Sequence, residues 1–187
     1  MQDILKHIST IYTINKKSEN ALLEICKEVT IKKNKNIQSI GHTCKTIYFV
    51  KQGSLRIYYF KDDIEITESF EFENSFVARA ESLFTGKASL KSIQAIEDSF
   101  VIAIDSEKLF SLFDIHPDLE RLFRKIIEKS YVNTVNRIES LQFNTAEERY
   151  NNLIKNHSNV LKRIPLKFIA SYLGITPVSL SRIRAIK

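Results

Sequence analysis

The sequence lacks any long uninterrupted run of apolar residues. No stretch approaches the roughly 18 successive apolar residues that a membrane-spanning helix needs, and the opening segment MQDILKHIST lacks the basic-then-apolar order of a signal peptide. We therefore expect a cytoplasmic protein with no membrane partner. Apolar residues still make up 43% of the 187 residues, which is enough for a packed core.

Cysteine and histidine are too few and too scattered for a metal centre. Cys26 and Cys44 form no CxxC pair, which argues against a disulfide framework, a zinc site and a four-cysteine iron–sulfur cluster. Of the four histidines only His42 falls among the predicted strands, so the clustered ligands of a metal-dependent β-barrel enzyme are missing. No Ser-His-Asp arrangement, P-loop or GxGxxG pattern occurs. We predict that the protein is not an enzyme and holds no metal or cofactor.

Positive charge is concentrated at one end of the chain. The formal charge is +6, from 28 Lys and Arg against 22 Asp and Glu. The two signs cancel up to residue 144, so the whole excess lies in residues 145–187, with eight basic and two acidic side chains. Such a segment is often only a solvated surface. A compact basic segment also neutralises nucleic-acid phosphates well, so the charge favours a nucleic-acid partner.

Short apolar runs separated by turn signals dominate residues 31–105. The segment IYFVKQGSLRIYYF has two β-branched and aromatic runs around Gln52-Gly53-Ser54, and FVIAID is another such run. Glycine is rare, with four in the chain, yet three of the four fall in this region, where turns need them. The pattern predicts antiparallel strands joined by tight turns, with a short helical turn within residues 71–99.

A long helix is predicted from Pro117 to about residue 142. Neither glycine nor proline interrupts the segment after Pro117, and Asp118 and Glu120 suit a helix N-terminus. An apolar stripe at three- and four-residue spacing runs along it: Leu119, Leu122, Phe123, Ile126, Ile127, Val135, Ile138 and Leu141. Such a helix, about 38 Å long, either covers the strand domain or pairs with a second chain. We favour the homodimer because the stripe continues to the far end.

The last part of the chain predicts a helix over about 145–156, then helix, tight turn and helix. Pro165 opens the first helix of this pair, and Gly174 permits the left-handed backbone of a sharp reversal. Thr176 and Pro177 form a good cap and first residue for the next helix. An apolar seam between the two helices is provided by Ile169, Leu173, Ile175, Leu180 and Ile183, with Ala170 small enough for close crossing.

The outward face of the last helix carries residues suited to DNA. Arg182 can pair with a guanine edge in the major groove, and we predict base contacts from Val178, Ser179, Ser181 and Arg182. The residues predicted to contact phosphate are Lys167, Thr176 and Arg184. The alternative is an ordinary αα-hairpin without a nucleic-acid role.

IASYLGITPVSLSRIR, residues 169–184, resembles the helix-turn-helix of the Crp/Fnr family of transcriptional regulators, especially its shorter Bacteroidetes-type members. IGHTCKTIYFVKQGSLRIYYF resembles the β-roll of the cyclic-nucleotide-binding-like domain in the same family. The resemblance implies an α+β fold: an antiparallel double-stranded β-roll of jelly-roll type, a long dimerisation helix and a small helix-turn-helix domain. It divides the chain into a sensor domain, 1–142, and a DNA-binding domain, 143–187. It also implies a homodimer on a roughly two-fold operator and admits contact with RNA polymerase.

Two departures from the family pattern concern the ligand. Family members that bind cyclic AMP carry a Gly-Glu pair for the ribose and a later Arg for the phosphate. Arg79 and Ala80 stand at the first place and Ser89 at the second, so we predict that cyclic AMP is not the effector. Glu81 lies one position from the expected acid, Arg79 could serve another anion, and Thr134 lies near where the long helix would touch a ligand. These four residues, Arg79, Glu81, Ser89 and Thr134, are the candidate pocket for an unidentified small-molecule effector.

Two further departures concern DNA. Pro177 and Val178 stand where the best-known members have Arg and Glu at the start of the recognition helix, whereas Arg182 is retained. We also expect no β-hairpin wing after this helix. The alternative function is a ligand-sensing or protein-interaction module whose helix-turn-helix no longer binds DNA.

Overall fold

The computed structural model describes residues 1–185. The end of the predicted DNA-binding domain at Lys187 and the predicted lack of a wing lie outside the described residues. The strands are β1 (Cys26–Ile31), β2 (Asn36–Gln38), β3 (Thr46–Gln52), β4 (Leu55–Lys61), β5 (Ile64–Glu71), β6 (Phe76–Val77), β7 (Ser92–Ala95) and β8 (Ser99–Asp105). The helices are α1 (Gln2–Ser9), α2 (Lys16–Glu24), α3 (Ala80–Thr85), α4 (Ser106–Phe113), α5 (Pro117–Phe143), α6 (Ala146–Asn156), α7 (Val160–Arg163), α8 (Leu166–Leu173) and α9 (Pro177–Ala185).

The strands form a double-stranded antiparallel roll, which confirms the predicted fold class. Two four-stranded sheets have the orders β1-β8-β3-β6 and β2-β7-β4-β5. The pairs β1–β8, β2–β7, β3–β6 and β4–β5 are nested, as in a long ribbon wound on itself. The predicted short helical turn is α3.

The turn at Gly53 does not close a β-hairpin, because it carries the chain from one sheet to the other. Strand β3 pairs with β6 and β8, whereas β4 pairs with β5 and β7. Gly53 has φ of +101°, and a Cβ placed there would lie 2.3 Å from Ser99 Oγ. Only glycine fits this passage between the sheets without displacing its neighbours.

Three apolar clusters hold the fold together. The inner faces of the two sheets meet at residues that include Val50, Leu55, Ile57, Ile93 and Val101. A second cluster packs α1, α2, α4 and the beginning of α5 on the sheet that contains β3 and β8, through residues such as Phe49 and Leu122. The third cluster joins α6 to α9 and includes Ile96 from the roll. A fully buried Leu, Ile or Phe stabilises the fold by about 1.5–3 kcal/mol.

Helix α5 has two differently covered halves. Leu119, Leu122 and Phe123 near its start are buried against the roll. Asp118 fixes this end by accepting hydrogen bonds from Asn15 N, at 2.8 Å, and Ser18 Oγ, at 2.6 Å. Burial raises the pKa of Asp118, but these hydrogen bonds outweigh it, and the net shift is downward. Most side chains of the second half are exposed, although Arg137 lies with its guanidinium 3.8 Å from the centre of the Tyr172 ring on α8.

No helix among residues 1–185 is both long and apolar enough to cross a membrane. The longest helix, α5, is polar along much of its length.

Candidate nucleic-acid interface

The turn between α8 and α9 contains two backbone hydrogen bonds that end α8 and reverse the chain. Gly174 adopts φ of +69°, Ile175 N donates to Ala170 O at 3.0 Å, and Gly174 N donates to Ser171 O at 3.1 Å. This pattern is a Schellman motif, which ends α8 and aims the chain into the next helix. The predicted helix, tight turn and helix are therefore present.

Helix α9 starts at once after this turn. Thr176 Oγ1 accepts a hydrogen bond from Ser179 N at 3.1 Å, so Thr176 is the N-cap and Pro177 the first helical residue. The seam between α8 and α9 is apolar, and its fully buried members are Ile169, Ala170, Leu173 and Leu180. One side of α9 is thus fixed to α8 while the other faces outward.

The outward side of α9 centres on Val178 and Arg182, which lie one helical turn apart. Val178 is 62% exposed, and Arg182 and Ser181 are also exposed. Ser179 is half-buried and its hydroxyl lies 3.0 Å from Thr176 Oγ1, whereas Ser181 Oγ donates to Pro177 O. Of the four predicted base-contacting residues, Ser179 and Ser181 have hydroxyls engaged within the helix or its cap, whereas Val178 and Arg182 are exposed side chains.

The predicted phosphate-contacting residues surround this side. Lys167, Thr176 and Arg184 are all exposed. Lys167 Nζ lies 4.9 Å from the centre of the Phe168 ring, and no ion pair within residues 1–185 uses Lys167, Arg182 or Arg184. Their charges remain available to an external anion.

Two basic residues of the C-terminal segment, Arg163 and Arg149, instead bind groups within the protein. Arg163 donates to Glu73 Oε1 at 2.7 Å and to Glu97 Oε1 at 2.5 Å, both on the β-roll. Hydrogen bonding to Glu73 is the main cause that raises the pKa of Arg163. Arg149 Nε donates to Leu173 O at 3.0 Å and so satisfies the end of α8. The excess charge of residues 145–187 is therefore only partly available to nucleic acid.

Helix α8 is docked directly on the roll. Ser171 Oγ accepts from Thr67 N at 2.8 Å and donates to Glu65 O at 3.2 Å, at the edge strand β5. The guanidinium of Arg56, 1% exposed, lies 3.6 Å from the centre of the Phe168 ring. This docking covers α8 and leaves the outward side of α9 open.

The second half of α5 presents an exposed apolar stripe. Its members are Ile127, Tyr131, Thr134, Ile138 and Leu141, with alternating spacings of four and three residues. Tyr131 is 70% exposed and Ile138 is 50% exposed. A spacing of this kind is typical of a two-helix coiled-coil seam. The first half covers the roll, as one sequence interpretation of the long helix expected, and the pairing of the second half with another chain stays a prediction.

The four residues predicted for an effector pocket do not converge. Glu81 is exposed on α3, and Thr134 is exposed on the α5 stripe, where its hydroxyl donates to Ser130 O. Ser89 is buried, but its Oγ donates to Lys91 O at 2.7 Å and holds the loop before β7. Only Arg79 reaches a cluster of charged groups, and its Nη1 lies 3.4 Å from Glu68 Oε1.

Sequence reasoning missed the other members of that cluster. Lys91 pairs with the second oxygen of Glu68, and Ser69 Oγ donates to Glu71 Oε1 at 2.8 Å. The signal available was the alternation of β5, which should turn Ser69 and Glu71 to one face. A bulge at Glu68, between the pairs Ile57–Ser69 and Tyr58–Thr67, breaks the alternation at Glu68 itself, so the face of Glu68 does not follow from the sequence pattern.

A family model for the cyclic nucleotide-binding domain matches residues 28–116. No curated protein matches the chain significantly in sequence. Among solved structures, FixK2 from Bradyrhizobium japonicum superposes with a TM-score of 0.74 at 18% identity, covering 86% of this chain and 83% of FixK2.

Two further structures agree with this result. A protein assigned to the Crp/Fnr family from Eubacterium rectale gives a TM-score of 0.71 at 18% identity, with 91% of this chain and 82% of that chain covered. The c-di-GMP-responsive global regulator CLP from Xanthomonas campestris gives 0.69 at 17% identity, with 90% and 89% covered. Residues 28–116 thus belong to the cyclic nucleotide-binding domain family, and the chain has the fold of the Crp/Fnr transcriptional regulators.

Proposed function

We propose that this protein is a DNA-binding transcriptional regulator that acts as a homodimer, with α9 as the helix that enters the major groove. The observation that carries the proposal is the exposed side of α9. Val178 and Arg182 lie side by side at its centre, and Lys167 and Arg184, which form no ion pair within residues 1–185, flank them. The opposite side of α9 is held in the α8 seam. This arrangement presents a rigid helix to a groove.

The residues divide into two roles in this proposal. Arg182 reads a base edge, with Val178 in apolar contact and Ser179 and Ser181 beside it. Lys167, Thr176 and Arg184 contact phosphates and set the position of the helix without reading sequence. Pro177 and Val178 differ from the reading residues of the best-known relatives, so we expect a different operator sequence.

The α5 stripe supports the homodimer. An exposed row from Ile127 to Leu141 loses its contact with water when the same row of a second chain packs on it. Two α9 helices related by a two-fold axis would then meet a roughly palindromic operator with half-sites about 34 Å apart. Such a regulator works beside the chromosome, in keeping with the cytoplasmic location expected from the sequence.

We further propose that the effector is not cyclic AMP. The hydroxyl of Ser89 is bonded within its own loop and offers no cation to a cyclic phosphate, and Glu81 faces solvent rather than the roll interior. CLP, a structural relative, responds to c-di-GMP, so this fold is compatible with other ligands. Contact with RNA polymerase belongs to the same proposal as a further partner of the dimer.

Selection of preferred sequences from random duplex DNA tests the main proposal. We expect an enriched, roughly palindromic site, and an affinity for it that falls steeply with salt as counterions are released. No enrichment, together with no duplex binding in gel shift at low salt, would instead favour the module without DNA binding. Calorimetry with cyclic AMP tests the effector proposal, and tight stoichiometric binding would contradict it.

A further inference from the structure

Two arginine side chains meet the C-terminal end of α8, immediately before the turn to α9. Arg137 of α5 donates a hydrogen bond from Nη2 to Tyr172 O, and Arg149 of α6 donates one from Nε to Leu173 O at 3.0 Å. These two carbonyls belong to the last turn of α8, where no later residue of the helix supplies a donor. The end of α8 is therefore held by side chains from two other helices.

Each of these two guanidinium groups makes a second contact. The Arg137 guanidinium lies 3.8 Å from the centre of the Tyr172 ring, and the Tyr172 ring packs on Phe70 of β5 with 5.1 Å between the ring centres. Arg149 Nη1 donates to Asn144 O at 2.5 Å, in the link between α5 and α6. The two arginines thus join the end of α8 to the second half of α5 and to the link that follows it.

Neither arginine forms an ion pair with a carboxylate in the described part of the chain. Both side chains are half-buried, and burial lowers the pKa of Arg137. The negative end of the α8 dipole offsets part of the cost of removing these charges from water. An apolar side chain would fill the same space without that cost. What arginine adds here is a planar, rigid donor group that fixes both the distance and the direction of its partner.

These contacts connect the two surfaces that the proposed regulator uses. Arg137 directly precedes Ile138 of the α5 stripe, and the carbonyl of Leu173 lies just before Gly174 and the start of α9. In a two-fold dimer, the separation of the two α9 helices depends on the angle at which each α9 leaves its own α5. Contacts at the end of α8 fix that angle.

We propose that Arg137 and Arg149 are positioning residues that set the separation of the two operator half-sites. They contact no base. They hold α9 at one angle to the α5 stripe, so both α9 helices of the dimer meet their half-sites only when the half-sites have one separation. The inference rests on the proposed DNA-binding homodimer and deepens it, because it assigns the preferred spacing to residues that lie outside the reading helix.

Binding of the full chain to three duplexes, measured by fluorescence anisotropy, tests this inference. One duplex carries the selected site, and the others have two base pairs inserted or removed between the half-sites, which turns one half-site by about 70° around the duplex. We expect the unsubstituted protein to prefer the selected spacing by about tenfold. Arg137→Gln and Arg149→Gln should each reduce this preference by roughly threefold. Arg124→Gln, which alters an exposed arginine of α5 that pairs with Glu128, should leave the preference unchanged.

The ratio of affinities separates positioning from a merely structural role, since a weakened fold lowers the affinity for all three duplexes by the same factor. Arg137→Lys should lose the spacing preference as Arg137→Gln does, because lysine keeps the charge but not the planar group. Circular dichroism checks the fold, and Tyr172→Leu replaces Arg137→Gln if the latter does not fold.

An unchanged ratio in both glutamine variants overturns the inference, and so does an equal loss in Arg124→Gln. If the unsubstituted protein binds the selected duplex but accepts all three spacings equally, this inference alone fails. If it selects no DNA, the proposed function fails with it.

Discussion

Arg182 and Lys167 carry the same charge but stand on different helices of the helix-turn-helix. Arg182 extends from the outward side of α9, whereas Lys167 lies in the first turn of α8 with its ammonium near the Phe168 ring. In the proposed complex, the first position reaches base edges and the second reaches the DNA backbone. Equal charges at these two positions should therefore have unequal effects on sequence preference.

We expect Arg182→Ala to reduce discrimination between the selected site and a scrambled duplex by about 1–3 kcal/mol. Lys167→Ala should instead weaken binding to both duplexes alike and reduce the salt slope by about one. Fluorescence anisotropy at several salt concentrations measures both quantities. If the two variants lose affinity equally on both duplexes, Arg182 does not read bases.

Glu71 makes stability depend on pH. Burial raises its pKa in the folded state to about 7, above the usual 4.5, so the native protein favours the neutral acid. The contribution of Glu71 to stability is greatest at low pH, decreases as the pH rises from about 4.5 to 7, and stays unfavourable above that range.

Glu71→Gln, which is always neutral, should therefore stabilise the protein at pH 8 by roughly 1–3 kcal/mol and have little effect near pH 5. Urea unfolding at the two pH values measures the difference. The exposed Glu81 is the control, because Glu81→Gln should change stability equally little at both. A gain at pH 5 as large as at pH 8 would contradict the assignment to ionisation.

At the scale of elements, the sequence indicated the long helix and the helix-turn-helix closely. The helix expected over 117–142 is Pro117–Phe143, and the one expected over 145–156 is Ala146–Asn156 with a capping box at Thr145 and Glu148. Capping residues, Pro and Gly act locally, so their effect can be read without the fold. Helices α1, α2, α4 and α7 were not predicted, and their short segments depend mostly on packing against the roll.

The need for glycine at position 53, where the chain passes between the sheets, can be tested by comparison with Gly86. Gly53→Ala should destabilise the protein by about 2–4 kcal/mol, because the new methyl group meets Ser99 and φ is positive. Gly86 also has positive φ, but nothing lies within 4 Å of its Cβ position, so Gly86→Ala should cost only about 1 kcal/mol. Equal losses in urea unfolding would exclude the contact with Ser99 as the cause.

The α5 stripe predicts which substitution breaks the proposed dimer. Ile138→Asp places a charge in the seam and should weaken dimerisation by at least about a hundredfold. Asn136, exposed on the opposite side of the helix, provides the control Asn136→Asp. Sedimentation equilibrium measures the association constant. A dimer that persists in Ile138→Asp would mean that another surface joins the chains.

At the scale of the whole molecule, the roll and the helix-turn-helix form a packed unit across the predicted boundary at 142/143. Arg163 reaches Glu73 and Glu97, α8 lies against β5, and Ile96 of the roll belongs to the cluster of the C-terminal helices. The division into two domains remains a prediction. These contacts join β5 and the roll directly to α8.

We expect Arg163→Leu to destabilise the protein by about 1–3 kcal/mol, because Glu73 and Glu97 would face each other without a cation. Burial raises the pKa of Glu73, and the Arg163 guanidinium reverses that shift, so the variant should also lose more stability above pH 6 than below pH 4. Arg124→Leu, which removes the exposed pair with Glu128, should change little. Urea unfolding of the two variants at both pH values tests the difference.

The sequence by itself determined the local features: where the long helix begins, how α9 is capped, and why Gly174 turns the chain. Each depends on residues within one or two helical turns. Only the tertiary structure decided which side of each element is covered. Alternation along β4 puts Arg56 and Tyr58 on an outer face, yet both are buried, because α8 packs over them with Phe168. The tertiary structure also places Arg149 and Arg163 in internal contacts and brings Arg79 to Glu68 and Lys91. The sequence could not show these contacts, because the partners lie far apart in the chain.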